Sequence, residues 1–425
     1  MAETLDRTFA SLRVRNYRRF FAGQIVSWTG TWVQWTAQAW LVLELTGSGL
    51  GLGVITALQW LPVLLLGAWA GVVADRFDKR KVLIFTNVTS AVLSLVLGLA
   101  TVGGIVTLWI VIVIALGLGI VTAIDNPARQ TFTMEMVGRE RLTNAVSLNT
   151  ATFTTARVLG PATAGLLIDQ VGIGQCFLLN AASFVPVTLA LWTMKLAELR
   201  PSGLVERQKG QVREGLRYVA SVPVLKTLLI MMAVVGTLQY NFQVILPLLA
   251  RETFDGGAKV LGLLGAMTGV GMFIGSLSNA AFGRSTRRFL LGAGISLGTM
   301  TLLVSVAPSL LLAVVLLVPL GAASMAFLAT MNSTLQLTAS DDMRGRVMAL
   351  YFVLFLGSTP IGAPIVGWVA EAFDPRAALA LGGLATLGAC LYGYLKLPQL
   401  GLGAGAGPRP AAGDDLLREP AEESI

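Results

Sequence analysis

The sequence predicts an all-α integral membrane protein with twelve transmembrane helices in two six-helix halves. Three observations support this prediction. The 425-residue chain is 55% hydrophobic and only 13% charged, about half the charged share of an average soluble protein. Its mean hydropathy is +0.73, and its apolar runs reach the roughly 20 residues that a helix needs to cross a bilayer. An internal repeat divides these runs six and six.

Charged clusters, glycines and prolines separate the apolar runs and set the limits of each span. The twelve predicted spans are 20–45, 50–74, 82–103, 107–129, 143–168, 174–195, 225–249, 258–283, 289–306, 309–333, 346–371 and 377–397. The predicted divisions are a cytoplasmic N-terminal segment (1–19), an N-terminal half (20–195), a cytoplasmic central loop (196–224), a C-terminal half (225–397) and a disordered cytoplasmic tail (398–425).

Cations are distributed unequally between the two sides of the predicted bundle. Of the 31 Lys and Arg residues, 27 fall on the side of the N-terminus, and only Arg251, Lys259 and Arg376 fall on the other side. Cytoplasmic loops of membrane proteins carry the excess of cations, so we expect both termini in the cytoplasm. The net charge of +8 therefore indicates membrane topology and the bilayer as partner, with no nucleic acid.

A repeat relates the two halves. A shift of 202 residues lays 138–171 over 340–373 without a gap. The shift pairs Gly160 with Gly362, Gly165 with Gly367, and Asp169 with Glu371. Parallel six-helix repeats are typical of one class of secondary transporter, in which the substrate site lies near the bilayer midplane between the repeats.

The connection between spans 2 and 3, GVVADRFDKRKVL (71–83), concentrates charge. Four cations and two carboxylates lie between Asp75 and Lys81. Topology accounts for the cations, but not for Gly71 and Asp75, which share one helix face at i and i+4. A glycine admits a neighbouring helix closely, and an aspartate one turn later can face the positive N-terminus of that helix.

This connection resembles the loop 2–3 signature of the major facilitator superfamily, and RVLGPATAG (157–165) resembles the Gly-Pro motif of its drug-antiporter branch. The stretches LRVRNYRRFFAGQIVSWTGTWVQ, IDNPARQT, EGLRYV and MNSTLQLTASDDMRGRVMALY resemble the twelve-span efflux branch that includes the enterobactin exporter and bacterial macrolide-efflux proteins. The resemblance implies a monomeric exporter of a drug-like compound or siderophore in the bacterial inner membrane, without a cofactor and driven by a proton gradient. An uptake permease of the same fold and a non-transporting sensor or scaffold are the alternatives.

The resemblance also implies a cytoplasmic latch. In that family an acidic residue at the position of Asp125 receives the basic end of the loop, so we expect Asp125 to pair with Arg76 or Arg80. The glycine and the first carboxylate of the loop are then expected to face span 11. Arg129 follows Asp125 at i+4, the order of a helix ion pair, and a proton-carrying role for Asp125 stays open.

Polar stripes on spans 1 and 7 predict a substrate cavity. The stripes consist of Gln24, Ser27, Thr31, Gln34 and Gln38 on span 1, and Gln239, Tyr240 and Gln243 on span 7. Uncharged polar side chains within a span must face other helices or water, so hydrogen bonding between helices is the alternative. Trp35 is the best placed by depth to form an apolar wall, ahead of Trp28 and Trp60.

One cation and a few carboxylates lie within or near the spans. Arg157 lies deep in span 5, where a cation is costly and needs a carboxylate, a carbonyl or an anionic substrate; a cavity or coupling role and a structural ion pair both stay open. Glu44, Asp169 and Glu371 lie near span ends and are expected at the interface. Because the chain has no His, a coupling proton requires a carboxylate, and Asp125 and Glu44 are the candidates.

Gly-Pro segments in spans 5 and 11 predict close helix packing and helix bends about which the halves can rock. They consist of Gly160, Pro161 and Gly165, and of Gly362, Pro364 and Gly367. The sequence shows no phosphate-binding loop and no cluster of catalytic groups, which argues against an ATP-driven pump and an enzyme. Without His, and with two separated cysteines, it predicts no metal site.

Overall fold

The computed structural model describes residues 9–200, 211–282 and 285–397. The first half of the bundle contains α1 (Arg15–Thr46), α2 (Gly49–Arg76), α3 (Lys79–Val102), α4 (Leu108–Val137), α5 (Leu142–Val171) and α6 (Ile173–Trp192). The second half contains α7 (Gln211–Ser221), α8 (Pro223–Leu238), α9 (Phe242–Leu248), α10 (Ala258–Phe282), α11 (Arg287–Ser305), α12 (Leu310–Thr338), α13 (Arg344–Leu356), α14 (Thr359–Ala372) and α15 (Pro375–Lys396). The predicted tail, 398–425, lies outside the described residues.

Local chemistry explains where several helices begin and end. Asp78 precedes α3, and its carboxylate accepts the backbone N–H of Lys81 at 3.2 Å; Thr286 and Ser309 cap α11 and α12 in the same way. Such caps satisfy N–H groups that have no partner inside the helix. Gly47 ends α1 in the left-handed conformation, with φ of 60°, which glycine adopts without strain.

Ten helical segments of the described chain are long and apolar enough to cross a membrane. The two long helices that fall short on hydropathy are α1 and α5. They carry the glutamine stripe and Arg157 respectively, and these polar side chains lower their mean hydropathy. The all-α class is therefore confirmed, and the two least apolar long helices are the ones on which the sequence places candidate functional groups.

Spans 7 and 11 are interrupted helices. Span 7 consists of α8, α9 and a π-helical turn at Leu249–Thr253, with a break at Gln239–Asn241. Span 11 breaks at Gly357–Ser358, because Pro360 falls in the first turn of α14, where proline is tolerated. The bend was predicted at Gly362 and Pro364, so its position is corrected by about one turn. The helix α5 runs through Pro161 without interruption.

The predicted central loop is also partly helical. The helix α7 lies within 196–224, and it is amphipathic: Val219 is buried, while Arg213 and Arg217 are exposed. Glu214 of α7 forms an ion pair with Arg346 of α13 at 2.6 Å. An amphipathic pattern of this length lets a charged segment pack one face against the bundle. The central segment therefore contains a short helix, and its cytoplasmic location stays a prediction.

Gly160 tests the packing of α5 on α1. A Cβ atom at Gly160 would overlap the Cβ of Trp32 and lie 3.1 Å from its carbonyl carbon. We expect Gly160→Ala to lower the free energy of unfolding by about 1–3 kcal/mol, the usual cost of overpacking, measured by thermal denaturation in detergent. In α15, Gly388→Ala meets open space and is the matched control. Equal stability of the two variants would contradict the packing.

Candidate functional site

The two halves meet along two pairs of helices, α5 with α10 and α2 with α14. A Cβ at Gly262 of α10 would lie 2.9 Å from the Cα of Gly165, and a Cβ at Gly49 of α2 would lie 2.8 Å from the carbonyl oxygen of Gly367. Glycine therefore permits backbone contact at both crossings. Gly165 and Gly367 are the positions that the repeat pairs, so the crossings are related by the internal symmetry. We call this end of the bundle the closed face.

Polar contacts also join the halves at the closed face. Asp169 forms an ion pair with Lys259 at the start of α10, with 2.6 Å between Oδ2 of Asp169 and Nζ of Lys259. Glu371 accepts hydrogen bonds from the hydroxyl of Ser48 and, at 2.8 Å, from the backbone N–H of Leu50 at the start of α2. A carboxylate there is stabilised by the positive end of the helix. The two repeat-related carboxylates thus each contact the second span of the opposite half.

A cation completes these contacts. Arg251 donates to the backbone carbonyl of Leu43, near the end of α1, at 2.6 Å, where a helix terminus is negative. The link between α1 and α2 is therefore held by an Arg on one side and by Glu371 on the other. These groups are exposed: the side chains of Lys259 and Asp169 are 56% and 47% accessible. Exposed pairs contribute about 0–1 kcal/mol each, so the polar contacts are individually weak.

The contacts between the halves extend only part of the way along the helices. On α2 the close approaches run from Gly49 to Leu64, which touches Gly357, whereas the helix continues to Arg76. On α5 they run from Gly165 back to the carbonyl of Arg157, which faces Gly269. The described close approaches therefore lie at one end and the middle of the bundle.

A cavity lies between the halves, next to these contacts. It holds roughly 550 Å³ of empty space including its mouth, and its walls include Trp32, Trp35, Arg157, Phe242 and Gln243. The rings of Trp32 and Trp35 pack edge to face with centroids 4.9 Å apart, and Trp60 packs behind the wall, with its ring centroid 5.8 Å from that of Trp35. The cavity is thus lined mainly by apolar residues, three of them aromatic, and its polar side chains are Arg157, Gln243, Thr36 and Thr268.

Arg157 is the charged group of this cavity. Its guanidinium carbon lies 5.2 Å from the ring centroid of Trp32, within the range of a cation–π interaction. Among the residues that the structure describes, no carboxylate lies within ion-pair distance of Arg157. The residues that line the cavity include no Asp or Glu. The structure therefore favours a cavity role over a structural ion pair.

A second, polar cavity lies within the first half. It holds roughly 770 Å³ of empty space including its mouth, and Gln24, Asn87, Asp125, Asn126 and Arg129 are among the residues that line it. The amide nitrogen of Gln24 and the amide oxygen of Asn87 are buried without a hydrogen-bond partner among the described residues. This cavity has both a carboxylate and a guanidinium, so it is close to neutral.

Asp125 and Arg129 form the ion pair that their spacing predicts. Arg129 donates to both carboxylate oxygens of Asp125, at 2.6 and 2.8 Å, and Thr86 donates to Asp125 at 2.7 Å. Arg129 also hydrogen-bonds the side chain of Gln24. The predicted pairing of Asp125 with Arg76 or Arg80 is absent from the described contacts. Arg76 is exposed, and Arg80 instead donates to the carbonyls of Leu191 and Trp192 at the end of α6, at 2.6 and 2.9 Å.

The charged connection between α2 and α3 is tied to its own half. Lys79 forms a partly buried ion pair with Glu135 of α4 at 3.0 Å, a residue that the sequence analysis did not single out. Gly71 is buried and Arg76 is exposed. The side chain of Asp75 lies outside the described residues, so its contact with span 11 stays a prediction. Arg287 of the second half similarly donates to the carbonyl of Tyr394, at 2.9 Å.

Two predicted cavity glutamines form buried hydrogen bonds between helices, and one of them, Gln34, also lines the polar cavity of the first half. Gln34 accepts from Asn180 at 2.6 Å, and Asn180 also lies 3.4 Å from the hydroxyl of Ser94. Gln239 donates to Thr301 at 2.8 Å and accepts from Thr386 at 3.5 Å. The residues stand at repeat-related positions on equivalent helices, 205 to 207 residues apart. Polar residues that recur at this separation along the sequence are thus a signal for both sets of hydrogen-bonded side chains.

The remaining predicted cavity residues divide between packing and the cavity. Gln38 is buried and donates to Gln59 at 3.1 Å, and Tyr240 donates to the carbonyl of Ser324 at 3.0 Å. Gln243 and Trp35 line the cavity between the halves. The stripe on span 1 therefore points mostly into the interior of its own half, because its partners Gln59 on α2, Arg129 on α4 and Asn180 on α6 lie there.

Comparisons with known proteins point to one family. A family model described as transmembrane secretion effector, of the major facilitator superfamily, matches residues 6–404. The chain is 29% identical to the multidrug efflux pump Tap of Mycolicibacterium fortuitum over 81% of this chain and 86% of that protein. It is 24% identical to the staphyloferrin A transporter of Staphylococcus aureus over 61% of this chain and 65% of that one. The match to macrolide efflux protein A of Streptococcus pyogenes is 26% over 64% and 67%.

Solved structures share the fold. A POT family transporter in complex with a peptide conjugate has a TM-score of 0.72 and 12% identity, over 91% of this chain and 97% of that chain. A bacterial homologue of the human lysosomal transporter Spinster, in an inward-facing and unoccupied conformation, has a TM-score of 0.69 and 16% identity, over 90% and 95%. These similarities show the fold alone.

The ion pair of Asp125 predicts a specific stability effect. Asp125→Asn leaves the partly buried guanidinium of Arg129 without its charged partner, so we expect a loss of about 1–3 kcal/mol in the free energy of unfolding, measured by thermal denaturation in detergent. Asp341→Asn breaks an exposed pair with Arg344 and is expected to cost less than about 0.5 kcal/mol. Adding Arg129→Gln is expected to restore part of the loss. A change in Asp125→Asn no larger than in Asp341→Asn would contradict the assignment.

Proposed function

Because this chain belongs to the transmembrane secretion effector family of the major facilitator superfamily, we propose that it exports a drug-like compound or a siderophore by alternating access. It is a multi-pass transport protein of the bacterial inner membrane and not an enzyme. The single observation that carries the proposal is the cavity between the halves, lined by Arg157 and Gln243, beside helix crossings at one end of the bundle.

The topology is part of the proposal. We propose that all twelve spans cross the membrane, that both termini are cytoplasmic and that the closed face is the outer face. The distribution of 27 cations on one side and three on the other supports this. Arg251 and Lys259 of the sparse side lie at the closed face. The chain is then in an inward-facing state, and it acts as a monomer because one chain forms the whole cavity.

Proton antiport is the proposed source of energy. The chain has no His, so a coupling proton must use a carboxylate within the bundle. Asp125 lines the polar cavity of the first half, and Glu44 accepts a hydrogen bond from Trp40 of the same helix at 2.8 Å. Asp125 is the better supported of the two, because its cavity also holds unpartnered amide groups that can bind water.

Export is preferred to uptake and to a sensing role. The relatives named efflux pump and efflux protein support the export direction. A sensor or scaffold that does not transport has no need of a cavity between halves that are joined by weak polar contacts. An uptake permease of the same fold is the runner-up, and it differs only in the direction of net flux.

Transport into everted membrane vesicles tests the proposal. Vesicles from expressing cells, acidified inside, are expected to accumulate at least one compound from a panel of dyes, macrolides and catechol siderophores. Vesicles without the protein are the control, and a protonophore is expected to abolish accumulation. Accumulation that survives the protonophore would overturn proton antiport. No accumulation of any compound, together with uptake by right-side-out vesicles, would overturn export.

A further inference from the structure

We infer that the cavity between the halves selects organic anions, and that its preferred substrate is a planar aromatic acid whose acidic group binds Arg157. This inference rests on the proposed function and narrows its substrate class. It starts from the charge of the cavity, which comes from a single guanidinium with no acidic residue in the lining.

Arg157 has no ion-pair or hydrogen-bond partner among the described residues. A guanidinium carries five N–H donors, and within the described ranges no side-chain or backbone acceptor receives a hydrogen bond from Arg157. Its described close partners are the ring of Trp32 and the phenol of Tyr240, which interacts with it electrostatically, and neither is a carboxylate. A cation held in an apolar span at such cost marks a binding function.

An arginine without an ion-pair partner is not a general feature of the described bundle. The other partly buried arginines of the described first half are partnered: Arg129 by a carboxylate on its own helix and Arg80 by two backbone carbonyls. At the repeat-related position of the second half, Thr359 stands where Arg157 stands in the first. The symmetric crossing of α2 and α14 therefore forms without a cation, so packing of the halves does not require Arg157.

The flat aromatic walls of the cavity indicate that the apolar part of the ligand is a planar ring system. Trp32, Trp35 and Phe242 form flat apolar surfaces beside Arg157, and Gln243 adds an amide that has no hydrogen-bond partner among the described residues. Planar rings stack on such walls, while a guanidinium binds carboxylates and sulfonates through paired hydrogen bonds. An organic cation would meet an uncompensated like charge, which discriminates against it.

Two dyes with the same xanthene ring system and opposite charge test the inference. Binding of 6-carboxyfluorescein and of rhodamine 6G to the full chain in detergent is measured by fluorescence anisotropy. We expect the wild-type protein to bind carboxyfluorescein at least about tenfold more tightly, the scale of one charge-assisted hydrogen bond. This comparison needs no variant and does not depend on how a substitution folds.

Variants then locate the effect. Arg157→Gln is expected to weaken carboxyfluorescein binding by about tenfold or more without weakening rhodamine 6G, and Arg157→Lys by less, because it keeps the charge but loses the fork. Arg288→Gln removes the same charge from an exposed position and is expected to bind like the wild type.

Three outcomes would overturn the inference. They are rhodamine binding as tight as carboxyfluorescein, binding of neither dye by the wild-type protein, and unchanged carboxyfluorescein binding in Arg157→Gln. Each leaves export open, since the vesicle assay with the broad panel decides that question separately. If one of these outcomes is found and a cationic dye accumulates in the vesicles, the protein is an exporter whose cavity does not select anions.

Discussion

Polar groups within a membrane-spanning bundle must find partners inside the protein, because the hydrocarbon offers none. Each half meets this constraint on its own. Gln34 with Asn180 joins the first and sixth spans of one half, Gln239 with Thr386 joins the equivalent spans of the other half, and Asp125 pairs with Arg129 of its own helix. Interhelical hydrogen bonds of this kind contribute only about 0.6 kcal/mol each, but leaving such groups unpaired costs more. Each half is therefore a unit that keeps its polar contacts when it moves.

The contacts that join the two halves differ from the buried hydrogen bonds within each half. Glycines at the crossings, such as Gly165 with Gly262, allow close contact without polar groups, and the polar contacts at the closed face are exposed and weak. Buried polar groups that are paired within each half, together with exposed polar contacts between the halves that cost little to break, suit a change between two states that differ by a few kcal/mol. Arg157 is a charged group that has no ion-pair partner among the described residues, and it lies in the cavity that such a change would expose.

The sequence predicts much of this because its signals are long or repeated. Long apolar runs indicate the all-α class, and the 202-residue repeat pairs Asp169 with Glu371, which the structure places at equivalent contacts. The hydrogen-bond partners of Gln34 and Arg80 could not be predicted from the sequence in the same way. A polar stripe does not reveal whether its partners are water or another helix, and the partner of Arg80 is a backbone carbonyl, which every residue offers. The break at Gly357 likewise depends on which of two nearby prolines begins the helix.

Accessibility of a cysteine in the cavity tests most directly whether the contacts at the closed face hold the cavity shut from outside. The reporter is Gln243→Cys, labelled in intact cells with a membrane-impermeant maleimide; the two native cysteines are buried. Adding Glu371→Gln, which weakens a contact of about 1 kcal/mol, is expected to raise the labelling rate about fivefold. Glu44→Gln, at the same face but bonded within its own helix, is expected to leave the rate unchanged. No increase with Glu371→Gln, or an equal increase with Glu44→Gln, would contradict the account.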